Sequence, residues 1–129
     1  MSTSFTFNAK QGLIIISARI EGPTGYTYAQ VALDTGATST MINTAKIVSI
    51  GYDPAVVPER VQMTTGSGVE FVPLLAIDRI EALGKLRINF PLICHTLPPT
   101  APVDGVLGLD FLRDRRLTID FRRGRITLK

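Results

Sequence analysis

The stretch VALDTGATST, residues 31–40, decides how this sequence is interpreted. Its apolar first half leads to a single carboxylate, Asp34, and small residues follow at once. A carboxylate is costly to bury without a partner. The stretch therefore predicts one of two things: another part of the fold satisfies Asp34, or Asp34 does chemistry.

Length and composition indicate a single globular domain over residues 1–129, with 45% hydrophobic residues to build its core. The longest apolar run near the start, residues 13–16, is far too short to span a membrane. No charged segment leads into an apolar stretch there, so we expect no signal peptide and a cytoplasmic location. The single cysteine, Cys94, excludes an internal disulfide and agrees with a reducing compartment.

Strand and turn signals predict a β-hairpin whose second strand ends at the carboxylate. GLIIISARIE and YTYAQVALD read as its two strands, joined by GPTG at residues 22–25. The next segment is different, because its apolar residues recur near helical spacing. It predicts a helix over residues 39–50, with Thr38 or Ser39 as its cap and Gly51 at its end.

The remainder of the chain reads as strands with one more short helix. Two alternating segments enclose TGSG at residues 65–68, which predicts a second hairpin. LRINFPLICHTL is another strand, VLGLDFL reads as a strand ending in a short helix, and LTIDFRRGRITLK closes the chain as a hairpin around RRG. These segments predict a mainly β fold, closed or sandwiched, with one or two helices.

Two of these motifs, taken with their order, resemble one known family. LDTGAT at residues 33–38 is similar to the catalytic motif of aspartic proteases, and GVLGLDFL at residues 105–112 is similar to that family's second motif. The order of hairpin, Asp-Thr-Gly, helix, glycine-tipped hairpin and apolar-apolar-Gly also matches over nearly the whole chain. The resemblance points to the retropepsin-like branch. It implies a closed acid-protease β-barrel with one or two short helices, active as a homodimer on peptide or protein substrates.

The chemistry of that family needs two carboxylates that share one proton. Like charges in near contact cannot both ionise, so one acts as general base and the other as general acid; aspartic proteases are themselves the standard example of this effect. This sequence holds one Asp-Thr-Gly, because VDGV at Asp104 lacks the hydroxyl residue. The second Asp34 is therefore expected from a second chain, since a twofold homodimer places the same residue on both sides of its axis.

The resemblance also implies roles for the residues around Asp34 and for the second hairpin. Asp34 is the catalytic residue, Thr35 bonds across to the partner loop, and Gly36 removes a Cβ where backbone meets substrate. Ala37 and Thr38 line the cleft and contact substrate. The second hairpin acts as a flap over an extended substrate, with an ordinary surface hairpin as the alternative. The expected flap residues are Thr65, Gly66, Ser67 and Gly68, with apolar arms from Met63, Val69 and Phe71.

Other groups of reactive residues do not indicate a function. Cys94 and His95 are neighbours on a strand, where side chains point to opposite faces, so they make a poor catalytic dyad. With one histidine and one cysteine the sequence has no metal-ligand spacing, and it has no phosphate loop or dinucleotide fingerprint. We expect no metal and no cofactor. For Asp110 we expect no catalytic role, but either a helix cap or an ion pair with Arg113 or Arg116.

The C-terminal segment is strongly basic. Seven of the fourteen Lys and Arg residues lie in residues 113–129. Acidic residues are interleaved and no aromatic ladder accompanies them, so a solvated helix end and hairpin turn are favoured over a nucleic-acid or acidic-partner surface. Retropepsin dimers rely partly on terminal strands that meet in a shared sheet. Charge on this hairpin is expected to oppose such a contact, which leaves a weak dimer or a different interface open.

A second class of function stays open beside the protease. The same fold and cleft would serve a peptide-binding module with negligible turnover. An intact Asp-Thr-Gly favours the enzyme, because a pure binder has no physical need for a paired acid. Since the residues flanking the motif are largely apolar, we expect the enzyme to favour apolar side chains on both sides of the cut.

Overall fold

The computed structural model describes residues 3–129. The strands are β1 (Ser4–Thr6), β2 (Ile15–Gly22), β3 (Gly25–Leu33), β4 (Met41–Asn43), β5 (Arg60–Thr65), β6 (Gly68–Ala82), β7 (Lys85–His95), β8 (Gly105–Leu107), β9 (Leu117–Asp120) and β10 (Arg125–Leu128). The helices are α1 (Thr44–Ser49) and α2 (Leu109–Leu112), and one turn of 3₁₀ helix covers Pro54–Val56.

Six strands close into a barrel. They pair in the order β2-β3-β8-β4-β7-β6, and β6 returns to β2, so the ring is continuous. β5 lies outside this ring and pairs with β6. The β3–β8 and β4–β7 pairs are parallel, whereas the other pairs in the ring are antiparallel. The expected mainly β, closed architecture with two short helices is confirmed.

Alternating burial along β2 shows why the first hairpin joins the barrel wall. Ile16, Ala18 and Ile20 are buried, with exposed fractions of 5%, 0% and 0%, while Ser17 and Arg19 between them lie on the outer face. This period of two is what an antiparallel strand with one face on the core requires. The first predicted hairpin is therefore confirmed, and its second strand leads directly to the Asp-Thr-Gly loop.

The predicted helix over residues 39–50 is wrong in its first half. β4 occupies that part and pairs with β7 on one side and β8 on the other. α1 begins after Asn43 rather than after the expected hydroxyl residues. Pairing in the sheet overrides the helical spacing, because Ile42 is fully buried at the centre of β4. Gly51, with a φ of +105°, lies just past the helix end as expected.

A separate three-stranded sheet brings the two ends of the chain together. Its order is β1-β10-β9, and both pairs are antiparallel. The hairpin predicted around RRG is confirmed, with Gly124 at a φ of +64° in its turn. The N-terminal residues carry no strong strand signal, yet β1 pairs with β10 and sets Phe5 beside the fully buried Ile126. The terminal strands therefore meet within one chain.

The two helices are minor elements of the fold. α1 has six residues and α2 has four. Across residues 3–129, no helix is long and apolar enough to cross a membrane.

Candidate active site

Asp34 lies where β3 leaves the barrel wall. The parallel pairing of β3 with β8 sets Leu33 beside Leu107, and the next N–H, that of Asp34, donates to the Leu107 carbonyl at 3.0 Å. Leu107 is fully buried. The backbone of Asp34 is therefore fixed to the core, and the residue itself is half-buried at the edge of the barrel.

A tight turn holds one oxygen of the Asp34 carboxylate. Oδ1 accepts a hydrogen bond from the Gly36 N–H at 2.9 Å, and the Asp34 carbonyl accepts one from the Ala37 N–H at 3.2 Å. A Cβ on Gly36 would lie 3.1 Å from Oδ1, so any larger residue there would press against the carboxylate. No hydrogen bond from residues 3–129 reaches Oδ2. The carboxylate thus keeps one oxygen available to water or a ligand.

The residues beside Asp34 face outward. Thr35, Gly36 and Thr38 are exposed, and Ala37 is half-buried. The structure therefore brings the predicted loop residues together on one open surface of the chain. The loop therefore presents one half-buried carboxylate, that of Asp34, among exposed residues.

Thr40, at the far end of the same loop, is fully buried, which is uncommon for a polar residue. Its N–H donates to both oxygens of Asp110, at 3.0 and 2.9 Å, and its hydroxyl donates to Asp110 Oδ1 at 2.7 Å. The hydroxyl oxygen in turn accepts the Gly108 N–H at 3.1 Å. The loop is thereby tied to the first turn of α2.

Gly108 allows the close approach of the loop to α2. The next residue, Leu109, donates its N–H to the Ala37 carbonyl at 2.8 Å. A Cβ on Gly108 would lie 2.8 Å from that carbonyl oxygen and 2.8 Å from the carbonyl carbon of Ser39, closer than real Cβ atoms come to backbone. The glycine of the second motif is therefore required by the space available.

The structure corrects the interpretation of Asp110. The N-cap residue of α2 is Gly108 and not Asp110, and within residues 3–129 Asp110 forms no ion pair with Arg113 or Arg116. Its carboxylate accepts the N–H of Phe111 at 2.9 Å. Its main partner is Thr40, 70 residues earlier in the chain. Sequence reasoning missed this pair. The available signal was an acid inside the apolar GLDFL and a hydroxyl directly before the buried strand β4.

The second predicted hairpin is present, and its tip bonds to itself. Thr65 pairs with Gly68, and Gly66 and Ser67 form the two-residue turn between them. Thr65 Oγ1 accepts the Ser67 N–H at 3.3 Å and donates to the Gly68 carbonyl at 3.2 Å. Gly68 has a φ of +129°, which side chains rarely adopt. In the part of the chain that the structure describes, no hydrogen bond joins this tip to the Asp34 loop.

The three apolar residues expected to form the arms of this hairpin lie on two faces. Val69 and Phe71 share one face and are 54% and 67% exposed. Met63 lies opposite Glu70 on the other face, which includes the buried Val72. Residues directly opposite in an antiparallel pair point to the same side. Met63 therefore faces the body of the protein, and the other two apolar side chains face solvent.

Cys94 and His95 lie on opposite faces of β7, as expected for strand neighbours. The Cys94 side chain is 1% exposed, and burial raises the pKa of its thiol to about 11. His95 is half-buried. Among the described residues, no three His, Cys, Asp or Glu side chains are grouped so that they could hold a metal ion. The thiol is thus an inert core group and not a nucleophile.

Comparison with known proteins identifies the family of this chain. The sequence profile of the aspartyl protease family matches residues 16–111, which is most of the chain and includes Asp34 and Gly108. This chain belongs to the aspartyl protease family. No curated protein matches it in sequence.

Among solved structures, the crystal structure of a retropepsin-like aspartic protease from Rickettsia conorii is similar to this chain. The likeness covers 99% of this chain and 89% of that one, with a TM-score of 0.71 and 16% sequence identity. At this identity it shows the fold alone. The barrel is therefore retropepsin-like, as the sequence motifs predicted.

Proposed function

We propose that this chain is an aspartic endopeptidase that hydrolyses peptide bonds within extended polypeptide segments. The observation that carries the proposal is the Asp34 carboxylate, which stands half-buried at the end of β3 with one oxygen bonded to Gly36 and the other without a partner in the described chain. An acid held in this way suits water activation. Membership of the aspartyl protease family supports the same reaction.

The active unit that we propose is a homodimer with one site on its twofold axis. One chain supplies one Asp-Thr-Gly, and the acids near the second motif are already engaged: Asp104 accepts a backbone N–H of β3 at 2.8 Å, and Asp110 accepts Thr40. A twofold axis beside the exposed loop would set two copies of Asp34 face to face. Thr35, exposed in the single chain, would then bond across that axis.

In the proposed reaction the two Asp34 carboxyls share one proton. The ionised carboxyl takes a proton from water as the water oxygen attacks the peptide carbonyl carbon, and the protonated carboxyl gives its proton to the carbonyl oxygen. The resulting diol collapses when one carboxyl protonates the amide nitrogen and the other takes a proton from a diol hydroxyl. The C–N bond breaks, a carboxylic acid and an amine leave, and the pair again holds one proton.

The β5–β6 hairpin is proposed as the flap over the substrate. The hydrogen bonds of its tip are made within the tip, which contains Gly66 and Gly68. The tip can therefore close on a peptide backbone without first breaking hydrogen bonds to the barrel. Met63, on the face turned toward the body of the protein, would supply an apolar contact. We propose a preference for apolar side chains on both sides of the cut.

Cleavage of a mixed peptide library by the wild type and by Asp34→Ala tests this function, at pH values of about 3 to 8 and at several protein concentrations. We expect cleavage beside apolar residues, its loss in the variant, and a specific activity that rises with concentration as dimers form. Cleavage that survives Asp34→Ala would show that Asp34 is not the catalyst. Full activity from a protein that sediments as a monomer would exclude the dimeric site.

A peptide-binding module is the second candidate, and one observation favours it. β1, β10 and β9 pair with one another within a single chain, so this pairing does not depend on a partner chain. A stable monomer would present only one Asp34 carboxyl. A wild-type protein that binds library peptides but cleaves none of them at any pH would select this function over the protease.

A further inference from the structure

Four consecutive residues, 107–110, each give one polar group to the loop of residues 34–40. The Leu107 carbonyl accepts the Asp34 N–H, the Gly108 N–H donates to the Thr40 hydroxyl, the Leu109 N–H donates to the Ala37 carbonyl, and the Asp110 carboxylate accepts both donors of Thr40. The second motif is thus the surface on which the first motif is held.

We propose that Thr40 and Asp110 are positioning residues that hold the Asp34 loop in its working shape within each chain, before a partner or substrate binds. The inference rests on the proposed function, because it concerns the geometry of the same site. Neither residue touches the reacting atoms. Dimer formation then adds the second carboxyl to a loop that already has its final shape.

Only some of these hydrogen bonds use side chains. The groups from residues 107–109 belong to the backbone, which almost any sequence would supply. Thr40 and Asp110 alone bond through side chains, and Thr40 is fully buried. If the Thr40 hydroxyl were removed, the buried Gly108 N–H would lose its acceptor and Asp110 would lose a donor. The end of the loop would then lose its specific anchor.

The geometry of the loop explains why such a loss would reach Asp34. The loop is attached at its start through Leu107 and at its end through Thr40, and between them the Ala37 N–H bonds back to the Asp34 carbonyl at 3.2 Å. A short span fixed at both ends cannot shift at one end without changing the turn. Small displacements of a reacting group can lower the rate by a factor of about a hundred.

Three variants and one matched control test the proposal by kinetics. Thr40→Val has nearly the same shape without the hydroxyl, Thr40→Ser keeps the hydroxyl, and Asp110→Asn keeps one acceptor oxygen. Thr100→Val makes the same change at an exposed loop position. We expect Thr40→Val to lower kcat by about tenfold to a hundredfold, with KM changed less than about twofold. The kcat of Asp110→Asn should lie between those of Thr40→Val and wild type. Thr40→Ser and the control should keep a kcat near that of wild type.

Amide hydrogen exchange provides a second test that does not need cleavage. In Thr40→Val, the amides of Ala37 and Leu109 should exchange at least about tenfold faster, while those of β2 and β6 keep their wild-type protection. Unchanged loop exchange, equal acceleration throughout the barrel, or a wild-type kcat in Thr40→Val would each overturn the proposal. If wild type cleaves no peptide, the proposed function fails, and exchange alone decides whether Thr40 and Asp110 position the loop.

Discussion

The Asp34 loop and the tip of the proposed flap are both glycine-containing turns, but the fold holds them in different ways. Residues 107–110 bond to the loop of residues 34–40 from the side of the core. The flap tip, residues 65–68, bonds to itself through Thr65. Catalysis by paired carboxyls needs fixed geometry, whereas an extended substrate must enter and leave. The proposed protease would therefore use one turn that is held by the core, at Gly36, and one that moves, at Gly66 and Gly68.

The difference in burial between the two turns explains why one is held more firmly than the other. Leu107, which holds the start of the Asp34 loop, and Thr40, at the end of the loop, are both fully buried. Opening the loop would therefore expose residues of the core. Around the flap tip, Val69 and Phe71 are already more than half exposed, so moving the tip exposes little new apolar surface. Regions with few buried contacts open at low free energy.

Asp34→Asn should give the largest functional effect because it removes ionisation at the fixed turn while keeping its shape. The amide oxygen can still accept the Gly36 N–H, so urea unfolding should be nearly unchanged. We expect kcat/KM to fall by about a thousandfold or more, since general acid-base catalysis is lost. A variant that kept activity within tenfold of wild type would contradict the assignment.

Gly108→Ala should break the attachment of the loop itself. The new Cβ would lie 2.8 Å from the Ala37 carbonyl oxygen, and backbone cannot easily yield. We expect a loss of about 1–3 kcal/mol in the free energy of unfolding, together with reduced activity per folded molecule. Gly12→Ala is the matched control, because a Cβ there meets nothing within 4 Å. Equal urea midpoints for the two variants would show that the contact is not needed.

Gly68→Ala should affect the tip of the proposed flap without affecting the Asp34 loop. Its φ of +129° disfavours a side chain, whereas Gly66, in the same turn, has no such φ and an open Cβ position. We expect KM to rise roughly threefold to tenfold in Gly68→Ala, with little change in global unfolding because the tip lies outside the barrel. Gly66→Ala should stay near wild type. Similar KM values for both variants would show that substrate binding does not depend on the φ angle of Gly68.

The last effect is confined to alkaline pH and concerns Cys94, whose position on β7 pairs with Ile42 of β4. Burial raises the pKa of this thiol from 9.0 to about 11 in the folded chain. Folding therefore favours the protonated thiol, and its contribution to stability is fully present below about pH 9 and lost between about pH 9 and 11. Urea unfolding across this range should show that loss in wild type.

Cys94→Ala is the comparison for this titration, and it should remove only part of the pH dependence. Tyr52 also has a raised pKa, chiefly through burial, and its hydroxyl donates to Asp78 at 3.0 Å. Because the sign is the same, Tyr52 adds a loss of stability above about pH 10 that the variant keeps. If wild type and Cys94→Ala lost stability in parallel between about pH 9 and 11, the buried thiol would not contribute.

Local patterns were enough to predict much of this fold. The β2–β3 hairpin follows from strand and turn signals, and the turns at residues 65–68 and around Gly124 follow from their glycines. Each of these signals lies within a few residues of the structure that it determines. The position of Asp34 at the end of a strand is of the same kind, since it depends on one apolar run.

The missed features depend on partners far away in the chain. β4 has three residues, too few to show a period of two, and its pairing with β7 and β8 overrides a helical spacing. β1 is a strand because β10 lies beside it. Thr40 and Asp110 are 70 residues apart, and nothing local indicates that one will accept hydrogen bonds from the other. The loop was predicted from its motif, but the Thr40–Asp110 pair that holds its end was not.

The terminal sheet also makes the chain almost a closed ring. Ser4 lies opposite Thr127 on the neighbouring strand, so both ends of the described chain leave the molecule at the same place. A short linker between those ends, with new termini opened between Gly66 and Ser67, would give a circular permutant that keeps every strand pair of the barrel. Such a molecule would retain an intact Asp34 loop with a severed flap, which no point substitution can produce.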